Sequence, residues 1–155
     1  MGRPVDKEQM LSRMTRLCSL REYCMEDLRG KLAALPPEEA EEVLGILLRD
    51  GWVDDARYAR AFARDKSALQ GWGSLKIKLA LQRKHIDAKA IEAALAGIDG
   101  PAADARMEQL LLAKWKSLSR EEDPQRKQAK FFRYALGRGY GYDETKRIYD
   151  HLRRD

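Results

Sequence analysis

Mostly apolar side chains recur along this chain in one pattern that occurs three times. Two of the series have steps of nine, five and four residues, and the first series opens with a step two residues shorter. The series are Leu28, Leu35, Ala40 and Leu44; Ile77, Ile86, Ile91 and Leu95; and Phe131, Tyr140, Thr145 and Tyr149. A repeat of roughly fifty residues is typical of tandem helical units that cover each other's apolar faces. The pattern therefore predicts a helical array instead of one globular core.

Helix start and stop signals fall between these positions and predict nine helices. Pro36 and Pro37 separate two of them, because proline ends one helix and is favoured in the first turn of the next. Asp54, Gly73 and Asp87 occupy predicted N-cap positions, and each is flanked by apolar residues at the spacing of a hydrophobic staple. The predicted helices are 6–21, 25–34, 37–50, 55–69, 74–85, 88–97, 102–118, 124–138 and 142–153.

Grouped in threes, these helices predict an all-α, elongated array of three tandem three-helix repeats. The repeats are predicted at 1–53, 54–100 and 101–155. Alternation of apolar and polar residues is never sustained over a run of strand-forming residues, so no β-strand is predicted. Arrays of this kind usually bind other macromolecules.

The composition is that of a folded protein, and it also bears on location. Apolar residues make up 44% of the 155 residues, which is enough to bury a core. The sequence has no run of about 18 apolar residues, and no apolar stretch follows the charged segment Met1–Met10, so neither a membrane span nor a signal peptide is predicted. A cytoplasmic protein is expected.

The spacing of Cys18 and Cys24 matches no redox or zinc motif, and packing or capping roles are expected for both.

Positive charge is concentrated in the second and third predicted repeats, although the net charge is only +5. Lys and Arg number eight against ten acids in 1–53, nine against six in 54–100 and thirteen against nine in 101–155. Such a basic surface attracts phosphates or acidic protein groups. An ordinary solvated helical surface is the alternative explanation.

The fifth and eighth predicted helices carry basic faces. Basic residues of the fifth helix lie across from Ile77 and Leu81, and those of the eighth recur at intervals of four and three residues. The candidate binding residues are Lys76, Lys78, Arg83, Lys84, Arg126, Lys127, Lys130, Arg133, Arg138, Lys146 and Arg147. Stripes of this kind on two equivalent helices could bind phosphates and acidic protein groups.

The three tryptophans have two interpretations. Trp52, Trp72 and Trp115 could stack on unpaired bases, as such residues do in proteins that bind single strands. A structural role is favoured, because Trp52 and Trp72 precede predicted helix caps and pair with apolar residues at staple spacing. Trp115 shares its predicted helix with Met107 and Leu111. All three are therefore predicted to pack in or against the core.

Motifs for enzyme chemistry are absent from the sequence. There is no Gly-rich phosphate loop ending in Lys and Ser or Thr, no paired-histidine metal motif and no nucleophile elbow. His85 and His151 are the only histidines, and neither lies in a cluster of metal-ligating residues. Gly137, Gly139 and Gly141 follow a predicted helix and are interpreted as its end and the next turn. No enzyme activity, metal or cofactor is predicted.

Two segments carry motifs beyond the repeat pattern. The first begins at Gly51 and contains an apolar pair, a double acid, an arginine and an aromatic residue. The second is a Gly-Trp-Gly sequence that precedes a basic amphipathic helix and a short capped helix. The residues that carry these motifs are Trp52, Asp54, Asp55, Arg57, Tyr58, Gly71, Trp72, Gly73, Ile77 and Ile86.

In order and spacing these motifs resemble the RecX family, the regulators of the bacterial recombinase RecA. The unit from Phe131 through Gly139 and Tyr140 to Tyr149 is similar to the C-terminal module of that family, and the resemblance covers nearly the whole chain. Three features depart from the family pattern. Cys24 stands where a capping Ser is common, and the first repeat lacks two residues before Leu35. His85 replaces a usual turn Gly, which implies a helix-terminal conformation for His85.

The resemblance implies a non-enzymatic regulator of homologous recombination, DNA repair and the SOS response. It implies a monomer that lies in the groove of the RecA filament on single-stranded DNA and lowers ATP hydrolysis, strand exchange and coprotease activity. Weak direct binding to DNA is compatible with this role. The alternative is a helical-repeat DNA-binding protein or transcription regulator that acts without RecA, and a salt-sensitive gel shift independent of RecA would favour it.

Overall fold

The computed structural model describes residues 6–155, and within this range the chain forms nine α-helices and no strand. The predicted all-α fold class is confirmed. The helices are α1 (Lys7–Leu20), α2 (Met25–Lys31), α3 (Pro37–Arg49), α4 (Asp55–Gln70), α5 (Ser74–Arg83), α6 (Ala88–Ala96), α7 (Gly100–Ser117), α8 (Pro124–Gly137) and α9 (Tyr142–Leu152).

Three helix ends differ from the predicted bounds by two or three residues, and each of these differences has a local cause. Helix α2 ends at Lys31, because Leu32 leaves helical geometry and the chain turns there. Helix α5 ends at Arg83, because His85 takes a left-handed conformation with φ +58°. Helix α7 begins two residues early, at Gly100, because Asp99 accepts a hydrogen bond from the Ala102 N–H and caps it.

Each group of three helices packs around its own apolar core. The first core includes Met14 and Leu47, the second includes Leu81, and the third includes Leu111 and Leu118. Eleven of the twelve positions in the repeating pattern are buried, and the twelfth, Leu95, is partly buried. The threefold spacing in the sequence is therefore the spacing of core positions, and the predicted array of three-helix repeats is confirmed.

The array is extended. Its accessible surface is 10370 Å² for a mass of 17.8 kDa, whereas a compact monomer of this mass exposes about 8,000 Å². Three small cores in a row expose more surface than one large core. The boundaries 1–53, 54–100 and 101–155 remain a prediction, and residues 1–5 of the first repeat lie outside the described residues.

The second and third repeats meet through their backbones, at a contact that we call the glycine joint (Gly71, Gly73, Gly139 and Tyr140). The Gly73 N–H donates to the carbonyl of Arg138 at 2.7 Å, and the Leu75 N–H donates to the carbonyl of Gly139 at 3.1 Å. A Cβ on Gly73 would collide with the Gly139 carbonyl. The two chain segments can approach this closely only because both positions lack side chains.

The glycine joint also supplies hydrogen-bond acceptors to N–H groups at the N-terminal end of α5. The first N–H groups of a helix have no partner within the helix, and the N-cap of α5, Gly73, has no side chain to supply one. Carbonyls of the third repeat, those of Arg138 and Gly139, take that role.

Side chains of the third repeat also donate to carbonyls of the second. The Tyr140 hydroxyl donates to the Gly71 carbonyl at 2.5 Å, and Arg106 donates to the Ser67 carbonyl at 2.7 Å. The Gly-Trp-Gly motif thus connects two repeats.

We expect Gly73→Ala to destabilise the fold by about 1–3 kcal/mol, because the added Cβ meets backbone atoms that cannot move aside without separating the repeats. Gly45→Ala is the matched control. Gly45 lies within α3, and a Cβ there has nothing within 4 Å, so alanine should stabilise the helix by about 0.5–1 kcal/mol. Urea unfolding of both variants checks this prediction, and equal stability of Gly73→Ala and wild type would contradict the joint.

Candidate partner-binding surface

Helices α5 and α8, which carry the predicted basic faces, meet at the glycine joint. The hydrogen bonds of Gly73 and Leu75 to Arg138 and Gly139 bring the C-terminal end of α8 against the N-terminal end of α5. Helix α5 spans about 15 Å and helix α8 about 21 Å, at about 1.5 Å per residue. Most of the candidate basic residues of the two repeats therefore lie on two helices whose ends meet at the glycine joint, although they are far apart in sequence.

Four candidate residues are exposed and take part in no ion pair within residues 6–155. They are Lys78, Arg83, Arg133 and Arg147. Arg83 lies on α5 and Arg133 on α8, each on the face opposite the buried residues of its helix. Cations without an intramolecular partner can bind an external anion without first breaking a contact.

Three further candidates form exposed ion pairs within their own repeat. Lys130 lies 2.7 Å from Glu121, Lys146 lies 2.8 Å from Asp150, and Arg126 lies 3.7 Å from Asp123. The hydrogen bond to Asp150 raises the pKa of Lys146, and the hydrogen bond from Lys130 lowers the pKa of Glu121. Solvent-exposed pairs contribute little to stability, so these cations can exchange partners readily.

Two candidates lie over tryptophan rings. The Lys76 ammonium is 4.3 Å from the ring centroid of Trp72, and the Lys127 ammonium is 3.9 Å from that of Trp115. Phe62 contacts Trp72 edge-on at 6.1 Å. These contacts occupy a face of each ring through cation–π attraction, so Trp72 and Trp115 have packing partners in the structure.

The last two candidates make contacts between repeats. Lys84 pairs with Asp27 at 2.5 Å, which joins the second repeat to the first. Arg138 donates to the Gln70 carbonyl at the glycine joint, and its guanidinium is half-buried there. Both side chains therefore have structural partners, and their proposed binding role would compete with these contacts.

The double-acid motif forms the connection between the first and second repeats. The Asp54 carboxylate accepts from the Arg57 N–H at 3.1 Å and caps α4, while Asp55 accepts from the Met25 N–H at 2.8 Å. Arg57 reaches back to Glu22 at 2.8 Å. The prediction that Trp52 packs in or against the core is wrong. The next residue of the turn, Val53, faces the core, and Trp52 is exposed at the surface.

The environment of Cys24 and Asp27 is buried between the same two repeats. Cys24 is fully buried in the second core, although it belongs to the first repeat, and burial raises the pKa of its thiol to about 11. Burial also favours a higher pKa for Asp27, but hydrogen bonds from Lys84 and Cys24 outweigh it and lower that pKa. Asp27 is therefore charged at neutral pH and attracts Lys84.

Two features of this surface were missed by the sequence interpretation. The contact between Gly73 and Gly139 joins positions that are distant in sequence, and the paired glycines of the two motifs were its only signal. The leucines of α5, Leu75 and Leu79, are exposed among the basic residues. Their positions on the basic face could have been found by plotting the helix as a wheel.

Neither a metal site nor a membrane helix is found in the part of the chain that the structure describes. No group of three or more His, Cys, Asp or Glu residues between 6 and 155 is arranged to hold a metal ion. Across the same range no helix has the length and apolar character needed to cross a membrane.

The repeat architecture defines an all-helical tandem-repeat protein. The family model for "RecX, second three-helix domain" matches residues 54–95. The regulatory protein RecX of Serratia proteamaculans is 30% identical, over 90% of this chain and 95% of that protein. The RecX of Yersinia enterocolitica is 26% identical, over 91% of this chain and 96% of that protein. The chain belongs to the RecX family of regulatory proteins, as its motifs predict.

Solved structures show the same fold. RecX from Lactobacillus salivarius superimposes with a TM-score of 0.80 at 20% identity, over 96% of this chain and 97% of that one. A second crystal structure of regulatory protein RecX gives a TM-score of 0.82 at 23% identity, over 93% of this chain and 71% of that one. At these identities the similarity concerns the arrangement of the helices.

We expect Lys84→Met to destabilise the fold by about 1 kcal/mol, because it leaves the Asp27 carboxylate partly buried without its cation while solvent screens the half-exposed lysine. Lys7→Met is the control. Lys7 and Lys84 are both 40% exposed, but Glu42, the partner of Lys7, is 56% exposed and Asp27 only 14%. Lys7→Met should therefore change stability little.

This difference should depend on pH. The pKa of Asp27 is lower in the folded state than the ordinary 3.8, so the stabilisation is present above 3.8 and is lost as the pH falls through the folded-state value. Thermal unfolding of wild type and Lys84→Met across this range measures it. Equal losses for the two lysine variants at neutral pH would contradict a specific role for the Asp27 pair.

Proposed function

We propose that this protein is a non-enzymatic regulator that binds the RecA filament on single-stranded DNA, in the filament groove. It acts as a monomer in the cytoplasm. Binding in the groove hinders filament extension and lowers ATP hydrolysis, strand exchange and coprotease activity. The observation that carries this proposal is the surface of α8 and α5, where Arg133 and Arg83 are exposed on helices whose ends meet at the glycine joint, in a member of the RecX family.

The geometry suits a polymeric partner. Three small cores in a row place binding groups over a long surface, and several weak contacts made at once give useful affinity for a filament but little for a free subunit. Cations on α5 and α8 attract phosphates and acidic side chains through interactions that salt weakens. The glycine joint holds the second and third repeats together, so a partner need not order them.

The proposal is tested by RecA ATP hydrolysis on single-stranded DNA, with this protein added at increasing concentration. Inhibition well below one molecule per RecA is expected, because each bound molecule affects a growing filament and not one subunit. No inhibition at excess would overturn the proposal. A salt-sensitive gel shift of DNA alone, together with no effect on RecA, would favour the DNA-binding alternative.

Reversing charge at Arg83 or Arg133 should weaken inhibition by about two- to tenfold each, since each reversal replaces an attraction to an anion with a repulsion. The double variant Arg83→Glu with Arg133→Glu should be weaker than either single variant, because the two residues lie in different repeats and bind in parallel. The concentration that half-inhibits RecA ATP hydrolysis measures the effect, at low and at high salt.

The charge-matched control is Arg49→Glu with Arg64→Glu. Both arginines are exposed and lie outside α5 and α8, so this variant has the same net charge as the test variant. Normal inhibition by the control and weak inhibition by the test variant are expected, with unchanged melting of both. Equal inhibition by the two variants would show that the partner is bound elsewhere than on α5 and α8.

A further inference from the structure

The exposed face of α5 is apolar as well as basic. Leu75 is 54% exposed and Leu79 is 47% exposed. They lie four residues apart, and Arg83 follows after four more, so the three side chains share the side of α5 that faces away from the buried Ile77. The predicted basic stripe is therefore a row of two leucines and an arginine.

A second exposed apolar site lies at the other side of the glycine joint. Leu136 and Tyr142 are exposed, and together with Phe132 and Ala129 they line a groove of about 300 Å³ between α8 and the start of α9. The rings of Phe132 and Tyr142 are 5.4 Å apart. Arg133 lies on α8 next to this groove, as Arg83 lies next to the leucines of α5.

The two apolar sites are close to each other. Gly139 accepts a hydrogen bond from the Leu75 N–H at 3.1 Å and donates one to the Leu136 carbonyl at 3.0 Å. One residue thus contacts the backbone of a leucine from each site. The sites are carried by helices that the glycine joint holds in a defined arrangement, and both have cations at their edges.

Exposed leucines among cations indicate a protein partner more than a nucleic acid. Phosphates are bound by charge and by hydrogen-bond donors, and proteins that bind unpaired bases use aromatic rings for stacking. Apolar side chains surrounded by polar groups are typical of protein interfaces, where an apolar centre is desolvated inside a polar rim. Here the rim is positive, so an acidic partner surface is complementary.

We propose that the α5 face and the α8–α9 groove dock an acidic protein surface that presents apolar side chains. This inference rests on the proposed function, and it assigns these two sites to the protein component of the filament and not to its DNA. A second copy of this chain is the less suitable occupant, because it would bring the same positive charges together.

The test compares two double variants. The test variant carries Leu75→Gln and Leu79→Gln, and the control variant carries Leu48→Gln and Leu69→Gln. Glutamine keeps length and helix propensity while removing apolar character, and Leu48 is 53% exposed, close to the value for Leu75. We expect the test variant to need about tenfold more protein for half-inhibition of RecA, as for loss of a central apolar contact. The control should inhibit like wild type.

Affinity for a fluorescent thymidine oligonucleotide without RecA is measured for the same variants. The inference expects this affinity to be unchanged in the test variant, and expects wild type and variants to melt alike. Leu79→Gln alone, one turn away from the glycine joint, should also weaken inhibition if the face is a docking surface and not a support for the joint.

Four other outcomes would contradict the proposal in whole or in part. If the test variant and wild type inhibit equally, the docking assignment is overturned and the proposed function stands. If inhibition and oligonucleotide affinity fall together, the leucines contact DNA. If light scattering shows a wild-type dimer that the leucine substitutions dissociate, the occupant is a second copy. If wild type does not inhibit at all, the proposed function fails and the docking assignment fails with it.

Discussion

The backbone contact at the glycine joint is the constraint on which the arrangement of the second and third repeats depends. Each repeat has its own core, so the cores by themselves do not determine how one repeat lies against the next. Hydrogen bonds from Gly73 and Leu75 to Arg138 and Gly139 fix it, together with those from Arg106 to Ser67 and from Tyr140 to Gly71. Any side chain on Gly73 would separate the segments, which explains why the motif has glycine at that position.

The connection between the first and second repeats is made differently. It relies on hydrogen bonds of side chains. Asp55 accepts from the Met25 N–H, Arg57 donates to Glu22 and Lys84 donates to Asp27. Cys24 inserts into the core of the second repeat. The motifs shared with the RecX family thus lie largely where repeats meet, and they act by holding a row of small domains in a defined order.

The basic residues differ in their surroundings. Lys84 and Arg138 contact neighbouring repeats, and Lys76 and Lys127 cover tryptophan rings. Another set, which includes Arg83 and Arg133, faces solvent beside exposed leucines or the α8–α9 groove. A surface that combines cations with apolar side chains can distinguish a protein partner from phosphates alone.

The sequence by itself determined the core positions and, to within one residue, most helix ends. Burial follows the helical period, and caps such as Asp54 and Asp87 act within three residues, so both can be inferred locally. The partners of Lys84 and Tyr140, which lie 57 and 69 residues away in the chain, were decided only by the tertiary structure. Which cations face solvent depends on how the repeats stack, because a helix period gives the direction of a side chain and not the identity of its neighbour.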